Sequence, residues 1–132
     1  MRLRRRSLEF FYAVFNELGY GFVESVYCRA MAIALDESGL QVVSEFPVPV
    51  SFHGQIVGAF RADLLVEGKI ILELKTADQI SKAHEAQLLH YLRASDVEIG
   101  LILNFGQTPK SRRMEFRNDR KRSTTQSAFI PS

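Results

Sequence analysis

"ADLLVEGKIILELK", residues 62–75, consists of two apolar runs around the short turn signal "EGK". Each run has the length and the composition of a strand, so the stretch predicts two antiparallel strands joined tightly. Asp63, Glu73 and Lys75 sit inside these runs. Ionised groups in core-like segments need water, a partner or an ion. Two readings follow: a solvated ion cluster on one face, or a metal site.

Glu73 and Lys75 are two apart and share a face of their strand. Whether Asp63 joins them depends on register. A two-residue turn at Glu67 and Gly68 pairs Asp63 with Leu72 and gives it the wrong parity. A three-residue loop from Val66 to Gly68 pairs Asp63 with Ile71 and brings all three charged groups to one face. That loop wants a left-handed glycine at its last position, where Gly68 stands. Turn chemistry thus favours convergence. Two carboxylates held close together both resist ionisation, and a divalent cation relieves the conflict. Oxygen donors suit Mg²⁺ or Mn²⁺. Lys75, beside two acids, is expected to act through its charge rather than as a free base.

Working outward, "LQVVSEFPVPVSFHG" and "QIVGAFRADLLV" predict two strands with a hairpin turn at "HG", 53–54. Pro47 and Pro49 make the first an edge or a bulged strand. Upstream, "SLEFFYAVFNELG" predicts a short amphipathic helix ending near Gly19, and "GYG", 19–21, a turn. A second helix is expected from Phe22 to Glu37, with Val23, Val26, Tyr27, Ala30, Ile33 and Ala34 as its apolar stripe and Gly39 as its stop. Downstream, Ser81 caps a helix over "KAHEAQLLHYLRA", whose buried side is expected to be Leu88, Leu89 and Leu92. "EIGLILNFG", 98–106, reads as a central or parallel strand, and "RRMEFRN", 112–118, as a last edge strand. The helix between Lys75 and Glu98 is long enough to cross the sheet and return a parallel strand. The expected fold is α/β: a mixed sheet flanked by helices, in the order α-α-β-β-β-α-β, with a final strand.

The chain has 132 residues, 46% of them hydrophobic, which suits a single domain with one core. No run approaches the ~18 apolar residues that a membrane span requires. The basic start "MRLRRRSLEFF" lacks a following apolar segment and cleavage site, so a cytoplasmic protein is expected. Cys28 is the only cysteine, which excludes an internal disulfide and a four-cysteine zinc site. It reads as a small apolar helix residue. The net charge of +2 hides a division. Residues 1–6 carry four arginines. Residues 107–132 carry seven bases against two acids, and residues 7–106 carry six bases against thirteen acids. An acidic body with basic ends suits a metal site beside a polyanion partner, and equally a body with frayed charged tails. Glu24 has no Lys or Arg three or four places away in its helix, which leaves it free to turn toward the acids. Tyr27 lies on the apolar stripe and reads as core. His84, Gln87 and Tyr91 form a polar-tipped stripe at i, i+3 and i+7, facing either a phosphate chain or simply the edge of the core.

Four blocks in order resemble the GxxExxY proteins, a branch of the PD-(D/E)XK nuclease-like superfamily. Gly21, Glu24 and Tyr27 stand in "GFVESVY"; Asp63 and Glu73-Leu74-Lys75 stand in the stretch quoted first; "HEAQLLHYL" and "GLILNFG" follow. The resemblance spans roughly residues 10–118, although the chain reads Val14-Phe15 where such proteins usually carry "VH". It implies a restriction-endonuclease-like core. The domain is expected over residues 1–118, and the polar, basic composition beyond Asn118 predicts a mobile tail over 119–132. The resemblance further implies a catalytic set of Asp63, Glu73, Lys75, Glu24 and Gln87, with Asp63, Glu73, Glu24 and the Leu74 carbonyl holding the metal. The expected activity is Mg-dependent hydrolysis of nucleic acid, contacted through the basic ends. The alternative is a non-catalytic nucleic-acid-binding or protein-interaction module on the same scaffold. The oligomeric state, whether monomer or homo-oligomer, is left open.

Overall fold

The structure, a computed structural model, describes residues 2–121. Its elements are α1 (Arg2–Leu18), α2 (Glu24–Glu37), β1 (Val42–Phe52), β2 (Gln55–Val66), β3 (Ile70–Lys75), α3 (Lys82–Arg93), β4 (Ile99–Phe105) and β5 (Pro109–Glu115). The five strands form one sheet in spatial order β1-β2-β3-β4-β5. Hairpin neighbours are antiparallel, and β3–β4, bridged by α3, is parallel. The expected α/β architecture and element order are therefore the observed ones.

Core residues divide by face. Phe11 and Val14 of α1 and Tyr27, Met31 and Leu35 of α2 cover Leu72, Leu74, Leu101 and Leu103. On the other face Leu88 and Leu92 of α3 cover Ile71 and Ile102. β4 is buried on both faces, which explains why its sequence is almost continuously apolar. No described helix is long and apolar enough to cross a membrane.

Several sequence expectations need correction. α1 starts at Arg2, so the basic run is its first turns rather than a lead-in. On α2 the buried stripe is Tyr27, Met31 and Leu35, at i, i+4 and i+8; Val23 and Ile33 are exposed, because the sheet meets the helix about one side-chain row away from the expected stripe. On α3 Tyr91 is buried and Leu89 only partly so. Past β5, residues 118–121 form a helical turn, and the buried Lys121 ammonium donates to the carbonyls of Ser95 and Val97. Burial pushes its pKa down. Residues 122–132 of the expected tail lie outside the described residues.

The decisive register also differs from both sequence alternatives. Val66 pairs with Ile70, Leu65 with Ile71 and Leu64 with Leu72. The loop is therefore Glu67, Gly68 and Lys69. Glu67 (φ 55°) and Gly68 (φ 65°) are both left-handed, and the Lys69 N–H donates to the Val66 carbonyl. Gly68 takes this conformation without the Cβ clash that Glu67 has to tolerate. Extending the register by one places Asp63 directly opposite Glu73.

Candidate active site

β2 pairs with β3 for only three residues, while its pairing with β1 continues to the hairpin tip. Beyond Leu64 and Leu72 the two strands diverge, and Asp63 and Glu73 stand at the fork. Their side chains replace the missing ladder. The Asp63 N–H donates to Glu73 Oε2 at 2.8 Å, and the Leu74 N–H donates to Asp63 Oδ2 at 2.7 Å. In a strand the N–H and C=O of one residue leave by the same edge, so the Leu74 carbonyl is directed into the fork as well.

Opposite Asp63, β1 breaks its pleat. Val42 packs on the α1–α2 face, whereas Phe46 and Val48 pack on the α3 face despite equal parity. The intervening Glu45 has φ 54° and drops out of the β1–β2 register opposite Asp63. On β2, Leu64 and Val66 face α1–α2, and Ala62 faces α3. Asp63 occupies the crossover.

Burial shapes the electrostatics. Glu73 is 3% exposed, and desolvation followed by the Asp63 charge pushes its pKa from 4.5 up to about 8. Desolvation likewise raises Asp63, against the lowering effect of the Leu74 N–H bond, and the Glu24 charge adds to the rise. Lys75 lowers both acids. Its Nζ donates to Gln87 Oε1 at 3.0 Å, and Gln87 Nε2 donates to the Tyr91 hydroxyl at 3.2 Å. Burial and the charges of Glu73 and Asp63 raise the pKa of Tyr91.

The GxxExxY residues have separate tasks. Gly21 holds φ 114° in the α1–α2 turn. The Tyr27 hydroxyl donates to the Gly19 carbonyl at 2.6 Å and accepts from the Phe22 N–H at 3.3 Å, while its ring stacks on Phe105. This latch fixes the start of α2. Glu24, the first residue of α2, lines a groove with Asp63 and Glu45. Tyr27 is thus core, as its position on an apolar stripe suggests.

The structure brings Asp63, Glu73, Leu74, Lys75 and Gln87 together and places Glu24 across the groove. His84 belongs to another job: its Nδ1 accepts from the Ser81 N–H, and Ser81 Oγ accepts from the His84 N–H, closing a capping box. Cys28 lies near the acids, and burial with their charges pushes its thiol up to about 12, which rules against a thiolate nucleophile. Sequence reading missed Asn104. It pairs with Lys75 across the parallel ladder and grips both the N–H and the carbonyl of Ala77, each at 2.9 Å, fixing the segment that leaves Lys75. A buried asparagine in an otherwise apolar strand was the available signal.

The basic ends are unequal. Arg2, Arg4, Arg5 and Arg6 occupy the first turns of α1, roughly 20 Å along the helix from the α1–α2 turn at the site's end of the sheet. Lys110 of β5 pairs with Asn104 and is level with Lys75. Arg112 is bound to Glu85 of α3.

The donor set fits a divalent cation. Asp63 Oδ1 and Glu73 Oε1 have no protein hydrogen bond among the described residues, and both acids resist ionisation without an added positive charge. Among the described residues no three His, Cys, Asp or Glu side chains form a ready-made metal cage. Asp63 and Glu73 are the assembled pair, and Glu24 stands apart.

Residues 2–116 match the sequence profile of the PD-(D/E)XK nuclease superfamily. No curated protein matches. Among solved structures, SSO0001 aligns at 16% identity with a TM-score of 0.55, covering 80% of this chain and 57% of its own. This shows a shared fold in a chain that spans little more than half of that protein's length. An alkaline exonuclease from Laribacter hongkongensis aligns at 14% identity with a TM-score of 0.46, covering 79% of this chain and 61% of that one. The same enzyme in complex with dAMP gives 15% identity, a TM-score of 0.45, and 79% and 60% coverage. The narrower resemblance to GxxExxY proteins rests on the sequence motifs.

Proposed function

Because the chain belongs to the PD-(D/E)XK nuclease superfamily, we propose that it is a metal-dependent phosphodiesterase that hydrolyses nucleic acid. The carrying observation is the fork, where the buried Glu73 and the half-buried Asp63 exchange hydrogen bonds with each other's strands and, among the described residues, each keeps one oxygen unengaged. Asp63, Glu73, the Leu74 carbonyl and, from across the groove, Glu24 would hold Mg²⁺ or Mn²⁺. When bound, such an ion neutralises charge growing on the phosphate and makes a coordinated water more acidic. Lys75 contributes a positive charge that orients water against the phosphorus, and Gln87 holds that ammonium in place. Asn104 keeps the following segment from drifting.

A second reading has its own support. Both acids already bond backbone N–H groups and, among the described residues, no three-carboxylate cage is assembled, as in a scaffold that keeps the fork for stability alone. Calorimetry with Mg²⁺ and Mn²⁺ on the wild type and on Asp63→Asn, together with cleavage assays on labelled DNA and RNA, separates the two. The first reading expects cation binding that is lost in the variant. It also expects cleavage to fall by about 10²–10³-fold or more in Asp63→Asn, Glu73→Gln and Lys75→Ala. Absence of cation binding at millimolar concentration, or cleavage undiminished in Glu73→Gln and Lys75→Ala, establishes the scaffold reading instead.

A further inference from the structure

The fork opens into a groove of about 710 Å³ between α2 and the β1–β2 hairpin. Glu24, Glu45 and Asp63 line it together with Ser25, Ser44 and, further along α2, Arg29, with Ala32 and Ile33 as an apolar wall. Ser25, Cys28, Arg29 and Ala32 recur at helical spacing, and the small ones among them keep this face of α2 from filling the space. Arg29 is the one cation on this lining. It is exposed and has no acid within ion-pair distance among the described residues. Glu45, by contrast, has Arg61 at 3.8 Å.

We propose that this groove is the track for a single, unpaired nucleic-acid strand, and that Arg29 binds a phosphate neighbouring the one presented to Asp63 and Glu73. The inference rests on the nuclease reading and adds a substrate form to it. Glu24 and Arg29 are five residues apart, about 7.5 Å along the helix axis. That is comparable to the separation of successive phosphates in an extended single strand, so a guanidinium on a flexible stem meets the neighbouring phosphate. A guanidinium also suits a phosphate better than a point charge does, since it donates two parallel hydrogen bonds. The volume lies in the range of about 300–1,000 Å³ that encloses a small ligand, room for one or two nucleotides and not for a duplex. The apolar wall of Ala32 and Ile33 gives bases a surface without hydrogen-bond readout, so the track is tolerant of sequence. The acids at the mouth repel phosphate, so the strand binds well only when a divalent cation is present.

The test is fluorescence anisotropy with a short labelled oligothymidylate and with a duplex of equal length, in Ca²⁺ across a salt series. The single strand is expected to bind more tightly than the duplex. Arg29→Ala weakens it about tenfold and reduces the salt slope by about 0.7, one phosphate contact on a single strand. Arg29→Lys recovers part of the loss. Ser44→Trp, an exposed site on the opposite wall, weakens binding by obstruction and leaves the salt slope unchanged. Duplex preference, no binding by the wild type, or wild-type affinity in both Arg29→Ala and Ser44→Trp overturns the proposal. Loss of strand binding in these variants of a protein that never cleaves would keep the track and sink the nuclease reading. Normal binding and cleavage in the groove variants, with cleavage lost in Asp63→Asn, would do the reverse.

Discussion

The two halves of β2 live in different surroundings. From Leu64 to Val66 the strand has partners on both sides and is buried; from Gln55 to Arg61 it has β1 alone and is almost wholly exposed. Asp63 stands at the boundary. In the inner half the backbone groups have strand partners and apolar side chains do the packing. At the boundary β3 has peeled away, and two N–H groups need new acceptors. Carboxylates supply them, so a buried acid that would be intolerable two residues further in is accommodated here. Among the described residues no buried side-chain nitrogen or oxygen lacks a partner.

The sharpest way to break this contrast is to damage each region in turn. Leu72→Ala, deep in the inner region, removes a fully buried side chain and should cost about 2–5 kcal/mol in denaturant unfolding. Glu73→Gln, one residue on, should leave the protein folded and, at pH 8 without divalent cations, as stable as the wild type or more so. A large loss in Glu73→Gln would show that the fork is built as tightly as the core.

The same comparison predicts a pH dependence. The folded pKa of Glu73 lies at about 8 against an ordinary value of 4.5. A carboxyl raised in this way adds its full stabilisation below the unfolded value and loses it as pH climbs through the folded one. Cation-free stability should therefore fall from about pH 4.5 to about pH 8, with Asp63 contributing in the same direction. Urea midpoints measured across that range should decline in the wild type and flatten in Glu73→Gln. A saturating divalent cation should lessen the decline. A midpoint that rises over this interval would contradict the burial argument.

Next in size is Asn104→Ala. It strands the Ala77 N–H and carbonyl, and one unsatisfied buried group costs about 1–3 kcal/mol. The effect belongs to the segment after Lys75, so hydrogen exchange should accelerate around Ala77 before it does in β4.

How much of this was legible beforehand follows from the same contrast. Strand order, hairpins and helix caps are written in local chemistry, and Ser81, Gly39, His53-Gly54 and the prolines announced them. The convergence of Asp63 and Glu73 was also foreseen, but through the wrong register. The loop borders one residue later than its glycine suggested, because Glu67 adopts a left-handed conformation that sequence rules reserve for glycine or asparagine. The α2 stripe was misjudged for a related reason: which side of a helix is buried depends on where the sheet meets it, and Val23 and Ile33 are apolar yet exposed. Asn104 escaped notice because its partner, Ala77, is 27 residues away and reveals nothing of the contact.

The smallest effect tests whether Glu24 serves the fork as a third acid. Tyr27→Phe keeps the ring stacked on Phe105 and deletes only the hydroxyl that joins Gly19 to Phe22. The expected stability loss is about 0.5–1.5 kcal/mol, that of one ordinary hydrogen bond. Its functional consequence should be more visible than its energy. With the turn unlatched, Glu24 at the head of α2 samples more positions, and cation affinity should weaken while the Asp63–Glu73 pair stays intact. Calorimetry on Tyr27→Phe and on Glu24→Gln should then show losses of similar size, each smaller than that of Asp63→Asn. If Tyr27→Phe binds cation as the wild type does while Glu24→Gln does not, the latch serves packing alone and Glu24 is held by the helix itself.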